Sequence, residues 1–195
     1  ALCVNPKRLN CLLSGTADGT VLQWDLANHR CLQRFVGHSN SVRGIGVTPD
    51  GEGCVSCSMD CSIKLWKIPV APFEEGVDLN DTVALITFPG TEAYQCLDHH
   101  WKKRRFVTGA SAVELWDHQR TRPIQKFSWG ADSITSIKFN PVEVELLGST
   151  GTDRSVALYD LRSETPIRKL IMQTRCNALS WNPMEAMTYV VANED

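Results

Sequence analysis

His38, Ser56 and Asp60 bring an imidazole, a hydroxyl and a carboxylate into one short stretch of this chain. A histidine beside a carboxylate looks like a general base with the acid that orients it. Counting Trp66 with them suggests another use. A buried aspartate is costly unless hydrogen-bonded, and histidine, serine and an indole N–H can each supply a bond to one network. A satisfied network would fix two strands and the loop before them, and the recurrence of these residue types along the chain favours this structural role. No Gly-rich phosphate loop, His-x-x-x-His pair or Gly-x-Ser-x-Gly elbow is present, so no catalytic residue, cofactor or small-molecule substrate is expected.

The elements that position these groups are short strands in a repeat. Gly15 to Asp25, Cys57 to Trp66 and Gly151 to Asp160 each read as a turn followed by a strand of alternating side chains. Trp24 to Trp66 is 42 residues, Trp66 to Trp116 is 50 and Trp116 to Tyr159 is 43. Upstream of each copy a short apolar strand ends at Pro6, Pro49, Pro141 or Pro183, with Trp101 in that place in the third. Proline lacks a backbone donor and stops ladder pairing there. A period near 40 to 45 marks the four-stranded blades of a β-propeller. The second copy, with Gly37-His38, Ser56, Asp60 and Trp66, resembles the WD40 family, whose repeats link these four side chains.

The expectation is therefore an all-β, WD40-type propeller of four blades and part of a fifth. The blade units fall near residues 1–36, 37–88, 89–127, 128–170 and 171–195, in an open arc cut from a longer ring with a step near one-seventh of a turn. Copy four keeps Ser149 and Asp153 but has Gly130-Ala131 for Gly37-His38 and Tyr159 for the tryptophan, so its network should be incomplete or water-filled. In copy three Thr108 and Trp116 are 8 apart, where Ser14–Trp24, Ser56–Trp66 and Ser149–Tyr159 are each 10. A tighter hairpin at Gly109-Ala110-Ser111, without the aspartate, should leave that blade without the usual polar clasp.

Eight cysteines invite a disulfide or zinc reading. Cys54, Cys57 and Cys61 lie on a strand and its turn, where residues three apart face opposite ways, so they do not converge on one ion. Free thiols and no metal are expected. No apolar run approaches the roughly 18 residues of a membrane span, so no membrane partner is expected.

A net charge of -2 excludes a protein that coats nucleic acid with its whole surface, so any RNA contact must be local. The dense basic run is Lys102, Lys103, Arg104 and Arg105, beside His99, His100 and Trp101. It reads either as a solvated hairpin tip or as a phosphate contact with an aromatic to stack on an unpaired base. Glu74, Glu75, Asp78 and Asp81 lie in the connection from Ile68 to Thr82, which accounts for the 50-residue spacing and reads as an acidic surface loop.

Asp98-His99-His100-Trp101, Leu115 to Ile124, Ser128 to Pro141, Trp181 to Ala186 and Ala192 to Asp195 resemble the WD-repeat, SOF-domain family over nearly the whole chain. The resemblance implies a seven-bladed propeller with a basic helical tail, acting in the nucleolar small-subunit processome. Its implied partners are processome proteins, precursor ribosomal RNA and a box C/D small nucleolar RNA. Tyr159, Asp160 and Arg162 are similar to the Trp-Asp-x-Arg box by which WD-repeat substrate receptors dock on the adaptor of cullin-4 ubiquitin ligases. The other reading of these residues is a strand end whose arginine reaches solvent or a neighbouring carboxylate. In propellers of this type the loops before the first strand and between the second and third share a rim, which makes Ser39, Asn40, Ser41, Met59, Thr152 and Arg175 candidate partner contacts.

Overall fold

The computed structural model describes residues 1–69, 81–128, 132–163 and 165–194. The described residues form strands, turns and loops with no helix, in two compact units, Ala1–Tyr94 and Gln95–Asp195. In the first unit, β1 (Leu2–Asn5), β2 (Arg8–Gly15), β3 (Val21–Asp25) and β4 (Arg30–Phe35) make one antiparallel sheet. A second sheet pairs β5 (Val42–Val47), β6 (Gly53–Ser58) and β7 (Ser62–Lys67). The short β8 (Asp81–Thr82) crosses back to lie parallel to β4 on the edge of the first sheet. Only then does β9 (Ile86–Pro89) close the second sheet against β7. The long connection thus gives the first blade a fifth strand, held by Gln33 Nε2 donating to Thr82 Oγ1 at 2.6 Å.

In the second unit, β10 (Cys96–His99), β11 (Arg105–Gly109), β12 (Val113–Asp117) and β13 (Gln125–Phe127) form one four-stranded sheet. Another consists of β14 (Ile134–Phe139), β15 (Leu146–Gly151), β16 (Ser155–Asp160) and β17 (Pro166–Ile171). A two-stranded sheet of β18 (Cys176–Trp181) and β19 (Tyr189–Asn193) follows. These sheets in chain order are propeller blades, and the fold is an all-β WD40-type propeller architecture.

Each unit's core lies between consecutive sheets, because alternation gives every strand one apolar face to bury against its neighbour. Leu13, Val21 and Phe35 of the first sheet meet Val42, Ile45, Cys54 and Trp66 of the second, with the Phe35 and Trp66 rings edge-on at 5.7 Å. Val107, Leu115 and Phe127 meet Ile137, Leu147 and Tyr159 in the same way. Burying each large side chain is worth about 1.5–3 kcal/mol.

Neighbouring side chains press directly on the backbone at Gly109. A Cβ built on Gly109 would lie 2.6 Å from Ile134 Cγ2 and 2.7 Å from Cys96 Sγ. We therefore expect Gly109→Ala to cost roughly 1–3 kcal/mol by overpacking, read from denaturant unfolding; an unchanged midpoint would refute the close approach.

Candidate functional site

Blade pairing decides which polar side chains meet. On β6 and β7, Cys54 faces Trp66 and Ser56 faces Lys64. Ser56 is therefore the diagonal neighbour of Trp66 on the same face, within reach of its side chain. The Trp66 Nε1–H donates to Ser56 Oγ at 2.8 Å. The Ser56 hydroxyl lies 2.8 Å from His38 Nε2, and His38 Nδ1 lies 2.9 Å from Asp60 Oδ2. One assignment satisfies every atom: indole to hydroxyl, hydroxyl to Nε2, and Nδ1–H to the carboxylate, with a neutral imidazole.

Two further groups, not legible in the sequence, complete the set. Ser62 donates to Asp60 Oδ1 through its hydroxyl at 2.7 Å and its backbone N–H at 2.9 Å. The Ser39 N–H donates to Asp60 Oδ2 at 3.0 Å. The hairpin follows its aspartate with a left-handed residue, Cys61 at φ 62°, as do Gly19 at 92° after Asp18 and Arg154 at 65° after Asp153.

The order carboxylate, imidazole, hydroxyl is that of a hydrolytic relay. Its surroundings make it a strut. Ser56 and Trp66 are 0% exposed and His38 is 7% exposed, so no substrate carbonyl reaches the hydroxyl, which already serves as acceptor for the indole. Burial alone would raise the Asp60 carboxyl, but the bonds from Ser62, Ser39 and His38 outweigh it and hold it at about 2. Burial pushes His38 below its ordinary range, only partly offset by Asp60.

The other blades keep the innermost bond and vary the rest. Trp24 Nε1 donates to Ser14 Oγ at 2.8 Å, and Tyr159 Oη lies 3.1 Å from Ser149 Oγ. The third blade lacks the aspartate of the full clasp but keeps its innermost bond, Trp116 Nε1 donating to Thr108 Oγ1 at 2.9 Å. The two residues absent there lie in the hairpin beyond the pair. An even deletion preserves the period of two, so Trp116 still pairs with Phe106 and sits diagonal to Thr108. In the fourth blade, Lys169 of β17 reaches Asp153 at 2.9 Å. Gly130 and Ala131 lie outside the described residues.

The basic run forms the tip between β10 and β11, with Arg105 in the strand. The Lys102 ammonium sits 4.3 Å from the Trp101 ring centroid, and Lys103 is ion-paired with Glu145. Trp101 is 41% exposed, and its indole donates to Asn140 O at 3.1 Å. Lys102, Arg104 and part of Trp101 face solvent.

At the ligase-box residues, Tyr159 is buried, while the exposed Arg162 forks onto Asp160 at 2.9 and 2.8 Å. Of the rim candidates, Ser39, Asn40 and Ser41 adjoin the Met59 hairpin in the first unit through a Met59 N–H to Ser41 O bond. In the second unit, Thr152 bonds Ser133 and Arg175 bonds Glu194, both through backbone. Glu74, Glu75 and Asp78 lie outside the described residues; Asp81 faces Arg34 at 3.9 Å.

All eight cysteines are free thiols, and burial pushes Cys96 up to about 12. Among the described residues no group of three or more His, Cys, Asp or Glu side chains could hold a metal ion. No helix among them is long and apolar enough to cross a membrane.

Blades built this way define a WD-repeat propeller chain, and residues 29–67 match the family described as "WD domain, G-beta repeat". The chain is 40% identical over 191 residues to DDB1- and CUL4-associated factor 13 of Xenopus laevis, covering 98% of this chain and 42% of that protein. It is 40% identical over 212 residues to Protein SOF1 of Saccharomyces cerevisiae, covering 100% of this chain and 43% of that one. The human factor 13 is 40% identical over 180 residues, covering 92% of this chain and 39% of its own length. The chain is thus similar to these relatives over nearly its whole length and spans about two-fifths of theirs.

Removing one member of the relay strands buried polar groups, so Asp60→Ala should cost roughly 1–3 kcal/mol in chemical unfolding. Both folded-state shifts are downward, so the unfolded chain binds more protons in acid and stability decreases as pH is lowered. The His38 contribution should be lost as pH drops below about 6.5, and that of Asp60 as it drops below about 4 toward 2. A stability profile flat from pH 7.5 to 5 would contradict this.

Proposed function

We propose that this chain is part of a non-catalytic scaffold of the small-subunit processome, acting in the nucleus and nucleolus in 18S ribosomal RNA processing by docking protein and RNA. The observation that carries this reading is the 40% identity to yeast Protein SOF1 over the whole chain, together with the family motifs at Asp98 to Trp101 and Trp181 to Ala186. The geometry supports it: the relay-like set of His38, Ser56 and Asp60 is enclosed in its blade, and loops and hairpin tips offer the exposed surface.

The RNA contact we propose is the β10–β11 tip. The phosphate ligands would be the exposed Lys102 and Arg104, with the Trp101 face beside them, while Lys103 pairs with Glu145. Lys102→Glu with Arg104→Glu leaves that ion pair in place and should lower crosslinking to precursor ribosomal RNA or the small nucleolar RNA. The loss should shrink as salt rises, since phosphate contacts depend on counterion release. Crosslinking equal to wild type by a folded, particle-incorporated variant would make the tip a solvated hairpin.

A second reading, as substrate receptor of a cullin-4 ubiquitin ligase, is favoured by Arg162, whose side chain is 74% exposed, and by relatives named DDB1- and CUL4-associated factor 13. The Asp160 pairing is weak at such exposure and yields readily to a partner carboxylate. Arg162→Ala in the intact protein should lower recovery of the ligase adaptor in pull-down while pre-ribosome association persists. Undiminished adaptor recovery would remove this reading.

A further inference from the structure

Asn5, His100 and Asn140 play one part in three blades: each opens the hairpin tip at the end of the first strand, Asn5 as the last residue of β1, His100 and Asn140 as the residues just after β10 and β14. Asn5 Oδ1 accepts the N–H groups of Lys7 and Arg8 at 2.9 and 3.2 Å, while its Nδ2 donates to Gly51 O in the next sheet's tip at 2.9 Å. Asn140 repeats this with Val142 and Glu143, both at 2.8 Å, and donates to Ala186 O at 2.6 Å. His100 does the same with a ring. Its Nδ1 accepts from the N–H groups of Lys102 and Lys103 at 2.9 and 3.1 Å, and its Nε2 reaches Val144 O at 3.1 Å. Asn5 and Asn140 are 0% exposed and His100 is 1% exposed. The imidazole therefore performs the task of a carboxamide, Nδ1 in place of Oδ1 and Nε2–H in place of the amide N–H.

The difference is chemical. A carboxamide does not take up a proton near neutrality, whereas an imidazole does. We propose that His100 is a proton-operated latch between the β10–β11 tip and the β14–β15 tip, closed while Nδ1 is unprotonated and released when Nδ1 is protonated. Protonation converts the acceptor of two N–H bonds into a third donor facing them, with no acceptor of its own. The charged groups around the ring are Lys103 and Arg105 on its own hairpin, Asp98 on β10 and Glu145 on the facing tip. Glu145 is already ion-paired with Lys103 and Asp98 with Lys138. Burial pushes His100 down, with Lys103 and Arg105 acting in the same direction and the Val144 bond and Glu145 opposing. A depressed value means that the latch contributes fully above about 6.5 and is lost as pH falls below it. The tip it releases is the one that displays Lys102 and Arg104.

Hydrogen exchange of the intact protein from pH 7.5 to 5.5, corrected for intrinsic rates, tests this with an internal control. Protection of the Lys102 and Lys103 amides should fall by up to about tenfold per pH unit below about 6.5. The Lys7 and Arg8 amides, held by Asn5, should show no such slope. His100→Asn should flatten the slope at Lys102 and Lys103. Equal slopes at the two tips of the wild-type protein, or a slope that persists in His100→Asn, would overturn the latch; if that variant does not fold, the wild-type comparison decides alone.

Discussion

The hydrogen bond between an aromatic N–H or O–H group on the third strand and a hydroxyl on the second strand of the first four blades is the interaction on which the rest of the structure depends. It occurs at Trp24–Ser14, Trp66–Ser56, Trp116–Thr108 and Tyr159–Ser149. A large ring must be buried between sheets to build a core here, and burial is costly while its polar atom lacks a partner. A small hydroxyl two residues along the neighbouring strand meets that need without displacing apolar surface. Once the ring is fixed, the seams between sheets can close around it, and the outer members of each network are free to vary.

That variation is informative about function. The second blade extends the bond through His38 to Asp60, producing the atom sequence of a hydrolytic relay inside a sealed core. In the fourth the Asp153 carboxylate is met by the Lys169 ammonium, and the third dispenses with the carboxylate. A catalytic role would demand the same groups with access to solvent, whereas a strut tolerates any donor that satisfies the carboxylate. The same economy governs the hairpin tips, where carboxamide and imidazole alternate in one task. Lys102, Arg104 and Trp101 at one tip and Arg162 at a strand end are exposed beyond these locks.

Much of this was legible in the sequence because the repeat is written in residue types that have few other uses together. Tryptophan and serine ten apart around a Gly or Asp turn indicate a hairpin, and prolines in step mark where the first strands stop. Other features escaped for physical reasons. The third blade's Trp116–Thr108 bond was hidden because spacing along the chain was taken for spacing across the ladder, and an even deletion changes only the former. Ser62 and Lys169 join their networks across a turn or from a neighbouring strand, through distances that a linear reading does not measure. β8 has two residues, and its pairing with β4 depends on a return path rather than a local pattern. His100 was visible as part of a motif, but its equivalence to Asn5 and Asn140 rests on atom positions.

The central claim is that the Ser56 hydroxyl and its neighbours hold the second blade together as one polar unit. A double-mutant cycle with Ser56→Ala and Trp66→Phe, followed by denaturant unfolding, measures this directly, since each change removes one side of the bond and leaves most of the volume in place. The account predicts a coupling of about 0.5–3 kcal/mol, with the double variant less destabilised than the sum of the two single ones. Additive losses would show that the two side chains act independently and would contradict the account.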